Sequence, residues 1–313
     1  MGRRCVVIVS GGGAISPYTT PDIAAGSGMA AGSTDTALRE HLLKTGHLTF
    51  TSPATVGTGQ ADRDPGFSGF DDVPVLLPAE LTVNAVGAID TAGENLARFL
   101  EYLNAEFDVD TFDMVGHSMG GLFSRAAYRV LRERQSPLRY RSLTTIGTPW
   151  QGAFFGDYAN GELTLDAAGD SAFTRAVMVE GKKYRDAESE GAGEQVTRRY
   201  LMGADGWNAR QAGVLDDVPV TLIVGDYFTD SAGDQNVWPH DGVVAASSAA
   251  ARELDLTVLP IRKVLTFPDV HSIFLSDLAE LPFERALTWD PDALDAVSHA
   301  IATAEPPADS VGT

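Results

Sequence analysis

Ser118 stands in Gly116-His117-Ser118-Met119-Gly120, a serine with glycine two residues away on each side. A sharp strand-to-helix turn demands that spacing, because side chains at the two flanking positions would clash across the turn that presents the serine. An apolar run at 111–115 precedes the motif, and Leu122, Ala126, Ala127, Val130 and Leu131 share one side of the stretch after it. Strand and helix are thus both in place, and Ser118 reads as a nucleophile. A serine hydroxyl is weak at neutral pH and needs a base, and the base needs a carboxylate to orient it. Along the chain the expected order is serine, acid, histidine.

Three histidines follow Ser118: His240, His271 and His299. His299 falls in a C-terminal helical stretch, and His240 is too close in sequence to the acid candidate Asp241 to face it. His271 comes four residues after the apolar run 264–267, at the carboxyl end of a strand, where catalytic groups collect in parallel sheets. It is the expected base. Two carboxylates can serve as the acid. Asp226 directly follows the strand Val220–Gly225, whereas Asp241 is preferred because Gly242 permits a tight turn and Val243-Val244 anchor the carboxylate. An anionic tetrahedral intermediate also needs two backbone N–H donors. Met119, after the nucleophile, supplies one; the glycines closing the first strand supply the other, Gly12 with Gly13 as the alternative.

The elements that must hold these groups alternate between strand and helix. Residues 5–9 form a continuous apolar run closed by Gly11-Gly12-Gly13, as a strand buried on both faces should be. Helical spacing follows at 35–44 and 91–107, β-rich runs at 142–146, 218–224 and near Val264, and a last helix at about 291–302. This alternation predicts an α/β fold with a mostly parallel sheet covered by helices on both faces. Glycine- and proline-rich excursions occupy 14–30 and 53–72. Between 149 and 217 the strand signal vanishes and polar helical stretches take over, at Ala172–Glu188 and 194–202. The expected organisation is a core of residues 1–149 and 217–304, an insertion at 150–216 and a flexible tail at 305–313.

Composition excludes several classes. The 313 residues carry 23 Lys+Arg against 43 Asp+Glu, a formal charge of −20 that opposes binding to nucleic acid. One cysteine, Cys5, can close no intramolecular disulfide and no multi-thiolate metal site. No apolar stretch approaches a membrane span, and the five apolar residues after Arg3-Arg4 are too few for a signal peptide. A cytoplasmic protein without metal or cofactor, and without stable membrane insertion, is expected.

Taken together, Gly116-His117-Ser118-Met119-Gly120-Gly121-Leu122 with Arg125, Thr145-Ile146-Gly147-Thr148-Pro149-Trp150-Gln151-Gly152, Asp241-Gly242-Val243-Val244 and a late histidine resemble bacterial lipases and esterases of the α/β-hydrolase superfamily. The resemblance implies that fold, with Ser118 as nucleophile, Asp241 as acid, His271 as base, and the segment after Pro149 as a cap over the acyl pocket. The family's usual His-Gly after the first strand is here Ser10-Gly11. The expected reaction is cleavage of small-molecule or lipid-like carboxylic esters with apolar acyl groups through an acyl-enzyme. A thioesterase or acyltransferase using the same residues is the alternative, and a catalytically idle binding protein the third reading. Trp150, Ala153, Phe154 and Phe155 offer apolar surface for substrate.

Overall fold

The computed structural model describes residues 2–22, 33–61, 75–188 and 190–305. Much of the two predicted excursions, at 23–32 and 62–74, and the tail from 306 onward lie outside the described residues.

The chain opens with β1 (Arg3–Val9), α1 (Thr36–Lys44) and β2 (Thr49–Thr51). Two two-residue strands, β3 (Ala54–Thr55) and β4 (Val83–Asn84), pair beside the main sheet. Then come α2 (Ile89–Phe107), β5 (Val109–His117), α3 (Gly120–Glu133) and β6 (Arg139–Ile146). Between β6 and β7 (Val220–Gly225) the described residues contain no strand, only α4 (Phe154–Ala159), α5 (Ala172–Glu188), α6 (Ala192–Gln195), α7 (Arg198–Met202) and short 3-10 turns. The expected stretch 194–202 is therefore two short helices. The chain finishes with α8 (Ala246–Ala249), β8 (Arg262–Phe267), α9 (Ile273–Leu278) and α10 (Pro291–Thr303).

Six strands form one sheet in the order β2-β1-β5-β6-β7-β8, every neighbouring pair parallel. The apolar run of β1 shows why both faces must be covered. Cys5, Val7 and Val9 enter a core with Leu96, Phe99 and Leu100 of α2 and Leu122 and Phe123 of α3. Val6 and Ile8 point the other way, into a second core with Leu38 and Leu42 of α1 and Leu294, Val297 and Ile301 of α10. A strand's side-chain period of two divides one run between two cores, and each fully buried aliphatic contributes about 1.5–3 kcal/mol. The result is the α/β-hydrolase arrangement, in which parallel strands deliver their carboxyl ends to one edge.

Candidate active site

At that edge the backbone sets the first residue. Ser118, between β5 and α3, holds φ +53°, a conformation that non-glycine residues adopt only where the surroundings enforce it. Its N–H donates to the Ile146 carbonyl at 2.8 Å. A Cβ at Gly116 would lie 2.5 Å from the Gly121 nitrogen, and one at Gly120 would collide with the Val9 carbonyl. The glycine spacing read from the sequence is therefore a steric requirement of the elbow.

Asp241 is fully buried, and His271 nearly so. The His271 Nδ1 lies 2.6 Å from Asp241 Oδ2. A carboxylate can only accept, so Nδ1 carries the proton and Nε2 keeps the lone pair. The other carboxylate oxygen accepts from the Val243 and Val244 N–H groups at 2.9 and 2.7 Å, so the anchorage expected from their packing is made by main-chain hydrogen bonds. His271 is fixed through its backbone too, since its N–H donates to the Asp241 carbonyl at 2.7 Å. Asp226, the alternative acid, sits apart, lining a separate cleft with Pro239 and Arg262. Ser118 and His271 line a common pocket, and among the described residues no hydrogen bond joins the hydroxyl to the imidazole. Such bonds often tighten only around a bound substrate.

Gly12 and Met119 line the same pocket, and among the described residues neither N–H donates to a protein acceptor. Gly13 differs: its N–H is committed to the Ala85 carbonyl at 3.1 Å. Among the described residues the Gly12 N–H, unlike that of Gly13, is uncommitted, as is that of Met119.

This pocket holds about 190 Å³ and is walled by Ala85, Val86, Pro149, Phe155, Tyr184, Val196, Val243 and Val244. Of the four residues expected to supply apolar surface, Ala153 and Phe155 line it. Trp150 and Phe154 are corrections: both are buried away from the pocket. Trp150 donates its indole N–H to Thr145 Oγ1 at 3.1 Å and stacks on Arg125. Arg125, fully buried on α3, lies between Trp150 and Trp207 at 5.3 and 4.9 Å and donates to Asn208 Oδ1 at 2.6 Å. Phe154 packs on His240 instead.

Two histidines have structural parts that the sequence did not disclose. His117 is buried, lowered to about 3 by burial and by its neighbour His271, so it is neutral; its Nε2 lies 3.0 Å from the His271 carbonyl, which it holds. His240 accepts from the Gly242 N–H at 2.9 Å, and its Nε2 meets Thr174 Oγ1 of α5 at 3.1 Å. Burial lowers His240 to about 4. Only its neighbourhood to the acid distinguished it in sequence, and His117 occupies a variable position of the elbow motif. His299 is exposed on α10, as expected.

Comparison with known proteins agrees with the architecture. Residues 79–183, about a third of the chain, match the family described as an alpha/beta hydrolase of unknown function (DUF915). A triacylglycerol lipase of Pseudarthrobacter phenanthrenivorans is 34% identical over 87 residues, 28% of this chain and 26% of the relative. The match thus spans about a quarter of that curated relative's length, as it does for a triacylglycerol lipase of Burkholderia plantarii. Among solved structures, an esterase of Pyrobaculum calidifontis superposes with a TM-score of 0.51 at 14% identity, covering 97% of this chain and 77% of that one. A lipase of Bacillus licheniformis in its propeptide form gives 0.52 at 12% identity, covering 99% and 52%. At such identities the structural likeness is one of fold. No helix among the described residues is long and apolar enough to cross a membrane. Family match and strand order agree on the α/β-hydrolase fold, and bacterial triacylglycerol lipases are similar to this chain over about a quarter of their own length.

Proposed function

We propose that the protein hydrolyses carboxylic esters of apolar acyl groups through an acyl-enzyme on Ser118. The observation that carries the reading is the 2.6 Å contact between Asp241 and His271 Nδ1, beside a serine held at φ +53°. With Nδ1 protonated, Nε2 is free to take the Ser118 proton as Oγ attacks the acyl carbon. The carbonyl oxygen becomes an oxyanion, for which the Gly12 and Met119 N–H groups are the donors. Collapse breaks the acyl–alkoxy bond, and His271 returns its proton to the departing alcohol. Water then repeats the sequence: His271 takes its proton, the hydroxyl adds to the acyl carbon, and the Ser118–acyl bond breaks to give free acid and restored serine.

The apolar pocket is the acyl site, and residues 150–216 form its cap. Phe155, Tyr184 and Val196 of this insertion line the pocket, which supports that reading. A fluorophosphonate probe tests the nucleophile: it should label the wild-type chain and leave Ser118→Ala unlabelled. Labelling that persists at another residue would overturn the assignment. A panel of ethyl esters from acetyl to long acyl chains then measures the acyl site, with rates expected to rise beyond acetyl.

A further inference from the structure

We infer that His240 is a positioning residue for the reaction: it fixes the turn that presents Asp241 and ties that turn to α5 of the insertion. This rests on the ester-hydrolase reading above, with Asp241 as the acid, and goes on to name what holds the acid in place. Three consecutive amides of the turn are taken up by two side chains. The Val243 and Val244 N–H groups donate to Asp241 Oδ1, and the Gly242 N–H donates to His240 Nδ1 at 2.9 Å. Gly242 holds φ +107°, and a Cβ there would lie 3.0 Å from Leu275 of α9. Glycine is required at that conformation, and glycine is also the residue with the most freedom to lose, so its amide needs an anchor. His240 is that anchor.

The anchor is itself held from the insertion. A backbone N–H can only donate, so Nδ1 is the acceptor and the neutral ring carries its proton on Nε2; burial, which lowers His240 to about 4, keeps it neutral. Nε2–H then donates to Thr174 Oγ1 at 3.1 Å, and the Thr174 hydroxyl donates in turn to Ser171 Oγ at 2.9 Å. Ser171 stands directly before α5 and also accepts the Thr174 N–H at 3.1 Å, so the chain of bonds from Gly242 ends on the first turn of that helix. The fully buried ring has no room to turn over: Phe154, Phe228 and Trp238 lie around it at centroid separations of 5.0, 5.0 and 4.6 Å. Paired main-chain bonds between His240 and Phe228, both at 3.0 Å, fix its backbone. About 15 Å further along α5, Tyr184 lines the acyl pocket. One helix thus touches both the turn of the acid and the wall of the acyl site.

Replacing the ring one half at a time tests this. In His240→Asn the side-chain oxygen stands where Nδ1 was and still accepts from Gly242; in His240→Gln the amide nitrogen stands where Nε2 was and still donates to Thr174, while Gly242 loses its acceptor. Wild-type turnover of ethyl butyrate, lost in Ser118→Ala, reports the ester-hydrolase reading alone. On that ester His240→Gln should lower kcat about 100-fold with KM within about twofold, the scale of a catalytic group displaced by about 1 Å. His240→Asn should stay within about tenfold of wild type. Values of kcat within about threefold of each other, a larger loss in His240→Asn, or a loss carried by KM overturns the inference. The tie to α5 is read by a double-mutant cycle, which also serves if His240→Gln fails to fold. Thr174→Val should lower kcat about fivefold in the wild-type chain, the scale of one hydrogen bond, and less than about twofold in His240→Asn, which has no Nε2–H left to strand. The same fold loss in both backgrounds, or none in either, would overturn the inference while leaving the hydrolase reading intact.

Discussion

At the carboxyl edge of the sheet, position is imposed by the backbone: Ser118 by its elbow, Asp241 by two N–H groups, His271 by main-chain bonds at both its N–H and its carbonyl. In the insertion between β6 and β7 main-chain bonds, such as those from the Glu190 and Ala192 N–H groups to the Val86 carbonyl, are joined by buried side-chain anchors. Asp157, 5% exposed, accepts from the Arg198 N–H at 2.7 Å; Thr174 meets His240; Arg125 reaches up from α3 between two tryptophans. The elbow cannot be repositioned without rebuilding the strands, whereas the side-chain anchors of the insertion change with one substitution or one proton. The difference separates a region suited to fixed chemistry from one suited to tuning which substrates enter.

The sharpest way to break this contrast is at the elbow. Ser118→Ala should lower kcat by about 10⁶ with circular dichroism unchanged, because the turn keeps its glycines and loses only the nucleophile. Activity within tenfold of wild type would remove Ser118 from the reaction. Next in size, Asp241→Asn should cost about 10⁴ in kcat by removing the charge that holds the imidazolium, while Asp226→Asn, in its separate cleft, stays within a few-fold. The opposite ranking would move the acid to Asp226.

Substitutions in the insertion should act on selectivity and stability instead. Phe155→Ala, which removes apolar wall from the acyl pocket, should change the ratio of octanoyl to acetyl ester kcat/KM by roughly tenfold with acetyl turnover altered less. An equal loss on both esters would tie the insertion to the chemistry. The smallest effect is at Asp157, which burial raises to about 7. A carboxyl whose folded pKa lies above its unfolded value binds more protons when folded, so stability falls as pH rises from about 4 to about 7. Asp157→Asn keeps an oxygen for Arg198 and should gain on the order of 2 kcal/mol over wild type at pH 8 relative to pH 5, read by urea unfolding. A difference independent of pH would exclude this carboxyl as the source.

The sheet and elbow were legible in sequence because both obey short-range rules. Residues 5–9 show strand burial in five positions, and the elbow shows its steric demand in five more. His271 could be found because a strand end locates it. The acid stayed open between Asp226 and Asp241 because the choice depends on which loop folds back against His271, a tertiary fact. Gly12 could not be parted from Gly13 until the Ala85 carbonyl showed which N–H was already used. Trp150 and Phe154 misled because aromatic side chains beside a pocket and beneath it look alike in sequence.

Arg125 has a consequence for how the molecule opens. Its guanidinium is fully buried, yet its partners Trp150, Trp207 and Asn208 all belong to the insertion, while the residue itself sits on the helix that follows Ser118. Peeling Trp207 and Asn208 away from α3 would leave a buried charge stripped of its rings and its amide oxygen, a loss of several kcal/mol. The stretch around Trp207 and α3 therefore form one cooperative unit, and the amides of Trp207 and Asn208, bonded to the Tyr200 and Leu201 carbonyls, should exchange with solvent no faster than those of α3.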